Sequence, residues 1–183
     1  MHRRLAIVTA AVLTTVLATV LAAAPAFALD MPPRKAGLWE LKMIFEGRNL
    51  PPTTMKHCTD AATDKLMNAD FGGSNAQHCS KQDMKTSGGT ITIDSVCKFG
   101  ETTTTSHAVV TGSFDSAYTM KVASTRQGGP PMPGVAPGAE THMTIEAKWL
   151  GACAAGQKPG DVIMANGMSM NVLDMQKMRP PAR

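Results

Sequence analysis

From Leu38 to Glu46 apolar and polar side chains alternate: Trp39, Leu41, Met43 and Phe45 fall on one face, Glu40, Lys42 and Glu46 on the other. Alternation with a period of two predicts a half-buried strand. The same period returns along the chain. Ile91 and Ile93 oppose Thr90, Thr92 and Asp94, and the pattern slips before Val96, which predicts a bulge or an edge. Thr102 to Thr111 places His107 and Val109 on one face and Ala108 and Val110 on the other. Tyr118, Met120 and Val122 alternate with Thr119, Lys121 and Ala123, and Met143, Ile145, Ala147 and Trp149 alternate with Thr144, Glu146 and Lys148. Between Cys79 and Cys97 two runs fold about Ser87, Gly88 and Gly89, a hairpin with a cysteine at each outer end. In the tail, Asn166-Gly167 between Asp161–Ala165 and Met168–Val172 is a strong hairpin signal. A two-residue turn there sets Ala165 opposite Met168 and Ile163 opposite Met170, all on one face.

One segment departs from this period. Thr59 to Asp70 reads as a short helix with Thr59 as N-cap, Asp60 in the first turn, an apolar stripe of Ala62, Leu66 and Ala69, and Gly72 and Gly73 as the stop. Asn49 to Thr54, with Pro51 and Pro52, reads as a break, and Gln127 to Gly138 as a mobile Pro/Gly loop. The total is about eight strands and one short helix. This predicts a mainly β protein: a strongly curved antiparallel sheet or a small up-and-down, calycin-like barrel, linked by disulfides. An outer-membrane barrel is the competing architecture, but the strands have one clean apolar face and no aromatic girdles.

The first 28 residues carry His2, Arg3 and Arg4, an apolar run from Leu5 to Ala24, and Ala26-Phe27-Ala28, the marks of a secretory signal peptide. An uncleaved N-terminal anchor is the alternative reading of that run. Beyond it the expected organisation is a flexible leader over 29–36, one β-rich domain over 37–176 and a frayed tail over 177–183. Without Arg3 and Arg4, sixteen basic residues face fourteen acidic ones, and one Tyr, two Trp and five Phe supply few stacking platforms. Nucleic-acid binding is thereby disfavoured. No membrane span is expected after signal cleavage.

All four cysteines, Cys58, Cys79, Cys97 and Cys153, lie beyond the signal, and an even count in an exported chain points to two disulfides. A hairpin turning near Gly88 makes Cys79 and Cys97 cross-strand neighbours. Carried through the following strands, that register puts Cys97 and Cys153 at opposite ends of the sheet, roughly 30 Å apart at about 3.3 Å per residue. The surviving pairing is Cys79–Cys97 with Cys58–Cys153, and Cys58–Cys79 is the rival.

Chemistry-bearing constellations are sparse. His57-Cys58 and His78-Cys79 could be drawn as a zinc site, but disulfides consume the same sulfurs. Met164, Met168, Met170, Met175 and Met178 cluster in the tail, and soft thioethers suit Cu(I). The hairpin reading instead turns Met168 and Met170 into the core. His107 is expected as a satisfied core histidine beside Ile93, Met120 and Ile145, with no carboxylate on neighbouring strands. No nucleophile, phosphate-loop or zinc-protease motif is present, so catalytic residues and cofactors are not expected.

RKAGLWE at Arg34–Glu40, the four cysteines, CSKQDM, TGSFDSAYTMKV and AKWLGAC at Ala147–Cys153 together resemble the exported bacterial family called domain of unknown function 3617. The resemblance spans nearly all of the chain after the signal and implies a periplasmic or secreted location. It transfers no activity and no functional residue. The functional expectation is a non-enzymatic β-domain binding a small apolar ligand or an envelope partner. A Met-rich copper-binding protein and a structural or interaction protein of the envelope are the alternatives.

Overall fold

The computed structural model describes residues 31–68 and 78–178, within which the chain forms nine strands and two short helices. The strands are β1 (Gly37–Phe45), β2 (Thr53–Thr59), β3 (Cys79–Ser87), β4 (Thr90–Phe99), β5 (Thr102–Ser113), β6 (Ala117–Gln127), β7 (Glu140–Gly151), β8 (Asp161–Ile163) and β9 (Ser169–Asn171); the helices are α1 (Ala61–Asn68) and α2 (Val172–Lys177). All strands pair antiparallel in one sheet of order β3-β4-β5-β6-β7-β1-β2-β8-β9. The signal segment, the Gly72-Gly73 stop, Ala69 and residues 179–183 lie outside the described residues.

The sheet is curled but not closed. β2 and β3 stand six strand spacings apart in the order, about 29 Å on a flat sheet at ~4.8 Å each. His57 of β2 and Gln82 of β3 nevertheless line the same cavity, so the sheet bends far out of plane. Its ends are β3 and β9, and among the described residues no ladder joins them.

The β3–β4 hairpin turns on Gly88 and Gly89, with Ser87 paired to Thr90. Both glycines have positive φ, 55° and 78°, as a two-residue primed turn requires. The register slips by one between Cys79 and Lys81, opposite Val96. The bulge anticipated near Val96 therefore lies on the partner strand, and it brings Cys79 opposite Cys97. The disulfides are Cys79–Cys97 and Cys58–Cys153, the pairing left by the register.

Four expectations are corrected. β2 was hidden because Pro51-Pro52 reads as a break and TTMKHCT carries little apolar signal; in the sheet it pairs with β1 along its full length. The N-cap of α1 is Asp60, not Thr59: the Thr63 amide donates to Asp60 Oδ1 at 2.8 Å and the Asp60 amide donates to Thr63 Oγ1 at 3.0 Å, a reciprocal capping box. The buried face of α1 is Thr63, Asp64 and Met67, while Ala62 is exposed. A second short helix, α2, follows β9 directly and is capped by the Asn171 side chain. It includes Lys177, the first residue of the expected frayed tail.

The tail hairpin also differs. Met164 accepts from Gly167 and donates to Met168 O, so Ala165, Asn166 and Gly167 form a three-residue loop. That shifts the register by one: Ile163 pairs with Ser169 and Val162 with Met170. A one-residue slip reverses which face each side chain takes, and Met168 and Met170 are 58 % and 38 % exposed rather than core-facing. Of the Gln127–Gly138 segment, Gln127 ends β6 and the rest is bends and turns, with Val135 donating to Met132 O and Ala139 to Ala136 O.

Candidate functional site: a cavity on the concave face

Register and alternation together build one apolar surface. Phe45, Met143, Val122, Ala108, Ile93 and Met84 form one cross-strand row over β1, β7, β6, β5, β4 and β3. Met43, Ile145, Met120, Val110, Ile91 and Thr86 form the next, and Leu41, Ala147, Tyr118 and Gly112 a third. The opposite face carries Lys42, Glu146, Thr119, Lys121 and Asp94. Curling the sheet toward its apolar face wraps these rows around a cavity of about 330 Å³. Gly112 permits a close approach of β5 and β6, since a Cβ there would stand 2.5 Å from Ala117 O and 2.8 Å from Tyr118 Cα.

The cavity walls are Leu41, Ile93, Met120, Val122, Met143 and Ile145 from the strands, with Phe114 from the β5–β6 turn. Met31 and Arg34 of the leader and Met67 and Asn68 of α1 also line it, as do His57, Gln82, Ser95 and Tyr118. Leader and helix are tied together by a buried ion pair. Arg34 Nε donates to Asp64 Oδ1 at 2.6 Å and its backbone amide to Asp64 Oδ2 at 2.8 Å, with both side chains almost fully buried. Asn68 Nδ2 donates to the same carboxylate at 3.3 Å. The polar helix face is thus explained: Asp64 faces inward because Arg34 meets it there. Trp39 and Phe114 pack on Tyr118, with ring centroids at 5.8 and 4.7 Å. Burial pushes the Tyr118 phenol pKa up.

His57 is the outlier in this wall. It lies on β2 opposite Trp39 on one side and Val162 on the other, and is only 4 % exposed. Its Nε2 is 3.2 Å from Met55 Sδ. A thioether carries no hydrogen, so this contact is a hydrogen bond only if Nε2 bears the proton, leaving Nδ1 as an acceptor. Among the described residues, Nδ1 is the one buried side-chain nitrogen or oxygen without a partner. Burial, aided by the Arg34 charge, lowers the His57 pKa to about 4, so the ring is neutral at neutral pH.

The residues singled out in the sequence lie elsewhere. His107 is exposed on the polar face and its Nδ1 lies 2.7 Å from Asp94 Oδ1, because β4 pairs His107 with Asp94; it is neither a core histidine nor without a carboxylate neighbour. This partner holds the Asp94 carboxyl below its usual pKa. Each cysteine of the two His-Cys pairs is in a disulfide, so no thiolate is left to bind zinc. Among the described residues no group of three His, Cys, Asp or Glu is placed to hold a metal, and no helix is long and apolar enough to cross a membrane. Met168, Met170, Met175 and Met178 are exposed on the β8–β9 hairpin and α2, and Met164 is half-buried. Sequence reasoning missed Arg34 and His57 as cavity residues and Asp64 as the buried partner of Arg34. Only the alternation of Met55 and His57 against Lys56 in β2 could have pointed to His57.

A family model described as "Protein of unknown function (DUF3617)" matches residues 34–153. No curated protein and no solved structure matches the chain. The match begins at the buried Arg34 and ends at the Cys153 disulfide, so it takes in all but one of the cavity-lining residues, Met31.

Proposed function

The chain belongs to the DUF3617 family, and from its cavity we propose that it is a non-enzymatic, exported β-domain that binds one small apolar molecule against the concave face of its sheet. The carrying observation is the cavity itself. Its volume of about 330 Å³ falls at the lower end of the usual range for ligand sites, and aliphatic and aromatic side chains make up most of its wall. The ionisable groups beside it suit binding rather than proton transfer: Arg34 and Asp64 neutralise each other, and His57 is neutral. Export to the periplasm or beyond is supported by the signal-like first 28 residues and by two disulfides. Residues 37–176 act as one domain in this reading, and the curled sheet serves as an incomplete barrel.

Native mass spectrometry of the protein purified gently from exporting cells tests this. Wild type should carry an extra small mass that is lost in Val122→Trp, which fills the cavity from β6. Wild type without any bound mass, or an identical mass on the filled variant, contradicts the proposal.

Copper handling by the tail is a second reading, favoured by the exposure of Met168, Met170, Met175 and Met178. Replacing these four by Leu should abolish Cu(I) binding in a competition titration. Unchanged affinity removes the reading. A purely structural or interaction role in the envelope is what remains if both fail.

A further inference from the structure

The cavity wall contains several polar groups, and their hydrogen bonding says what kind of ligand fits. Arg34 Nε and Asn68 Nδ2 donate to Asp64, and Ser95 Oγ lies 3.1 Å from Ser106 Oγ. Tyr118 faces Arg34. His57 differs, because its Nδ1 is buried and unpartnered while Nε2 is held by Met55. A buried acceptor left without a donor is costly, and nearly all such groups in folded proteins have one. The missing partner must donate a hydrogen. An unprotonated Nδ1 only accepts, so it cannot hydrogen-bond an ether, an ester or a carboxylate, none of which carries a donor hydrogen.

Resting on the apolar-cavity reading, we propose that the ligand is an apolar molecule bearing a hydroxyl or N–H group, whose hydrogen is accepted by His57 Nδ1 while its hydrocarbon body lies along Met120, Val122, Met143 and Ile145. Size follows from volume: 330 Å³ at ~30 Å³ per water-sized group is about eleven non-hydrogen atoms. An alcohol of the size of 1-decanol matches both requirements. A deprotonated fatty acid of the same length matches the size but not the hydrogen-bond polarity.

The test compares 1-decanol with its methyl ether by calorimetric titration of the full-length exported protein, for wild type and for His57→Phe. The ether keeps the chain and removes only the donor. Wild type should bind the alcohol roughly tenfold more tightly than the ether, the size expected from pairing one otherwise unsatisfied buried acceptor. His57→Phe should bind both about equally. Independently of how that variant folds, the ¹⁵N resonance of His57 Nδ1 in wild type should move upfield with the alcohol and stay in place with the ether. Equal affinity of wild type for both ligands, as when a trapped water supplies the hydrogen, overturns the inference and leaves the apolar cavity standing. So does a preference for the alcohol that survives in His57→Phe. Binding of neither ligand overturns the cavity reading along with it.

Discussion

Replacing His57 by Phe should flatten the acid side of the stability curve. In the folded chain burial lowers the His57 pKa from 6.5 to about 4, with Arg34 adding to the effect. The folded state therefore holds its ring neutral over a range in which the unfolded chain binds a proton. A lowered folded pKa means the stabilisation is fully present above pH 6.5 and is lost as pH falls toward 4. The shift of about 2.5 units at 1.36 kcal/mol each is worth ~3 kcal/mol over the whole window, of which roughly 2.5 kcal/mol is lost by pH 4.5. His57 is almost fully buried, so solvent screening takes little from this figure. Stopping at pH 4.5 keeps the measurement above the range of Asp60 and Asp94, whose carboxyls are held below the usual aspartate value of 3.8 by their hydrogen-bond partners. The assay is urea unfolding of wild type and His57→Phe at pH 7.5 and 4.5. Subtracting the two pH values for each protein removes any packing change the substitution brings. Wild type should lose roughly 2.5 kcal/mol more than the variant. An equal loss in both would refute the buried, neutral assignment and the acceptor role built on it.

Other perturbations probe the frame around the cavity. The Cys58–Cys153 bridge spans 95 residues and Cys79–Cys97 spans 18, so loop-closure entropy gives ~4.7 and ~3.2 kcal/mol respectively. Removing the long bridge with paired Ala substitutions should lower the urea midpoint more than removing the hairpin bridge; the reverse order would contradict the entropic account. Asp64→Asn strands a buried guanidinium and should cost about 3 to 5 kcal/mol. Arg34→Met combined with Asp64→Leu should cost less than the sum of the two single changes, as a double-mutant cycle by chemical denaturation would show.

Much of this fold is legible where local rules act alone. Gly88-Gly89 admits a primed turn, strict alternation marks β1, β6 and β7, and the resulting register selects between disulfide pairings. What is illegible depends on partners distant in sequence. Asp64 reads as a polar surface residue until Arg34, thirty positions earlier, is seen to meet it. β2 has too few apolar residues to declare itself, and it becomes a strand because β1 and β8 flank it. The face of His107 is ambiguous in the sequence because alternation in Thr102–Thr111 carries apolar residues on both sides. Pairing with Asp94 decides it. The tail shows how a small local difference spreads: one extra loop residue after Met164 turns Met168 and Met170 outward. The cavity itself is a consequence of curl, and curl is a property of the whole sheet that no single strand announces.

The most direct test of the central claim is a calorimetric titration of 1-decanol into wild type and Val122→Trp. Saturable one-to-one binding is expected in wild type, with the negative heat-capacity change that burial of apolar surface produces. The filled variant should show neither. No binding in wild type, or the same affinity in both proteins, would mean that the concave face does not bind apolar molecules.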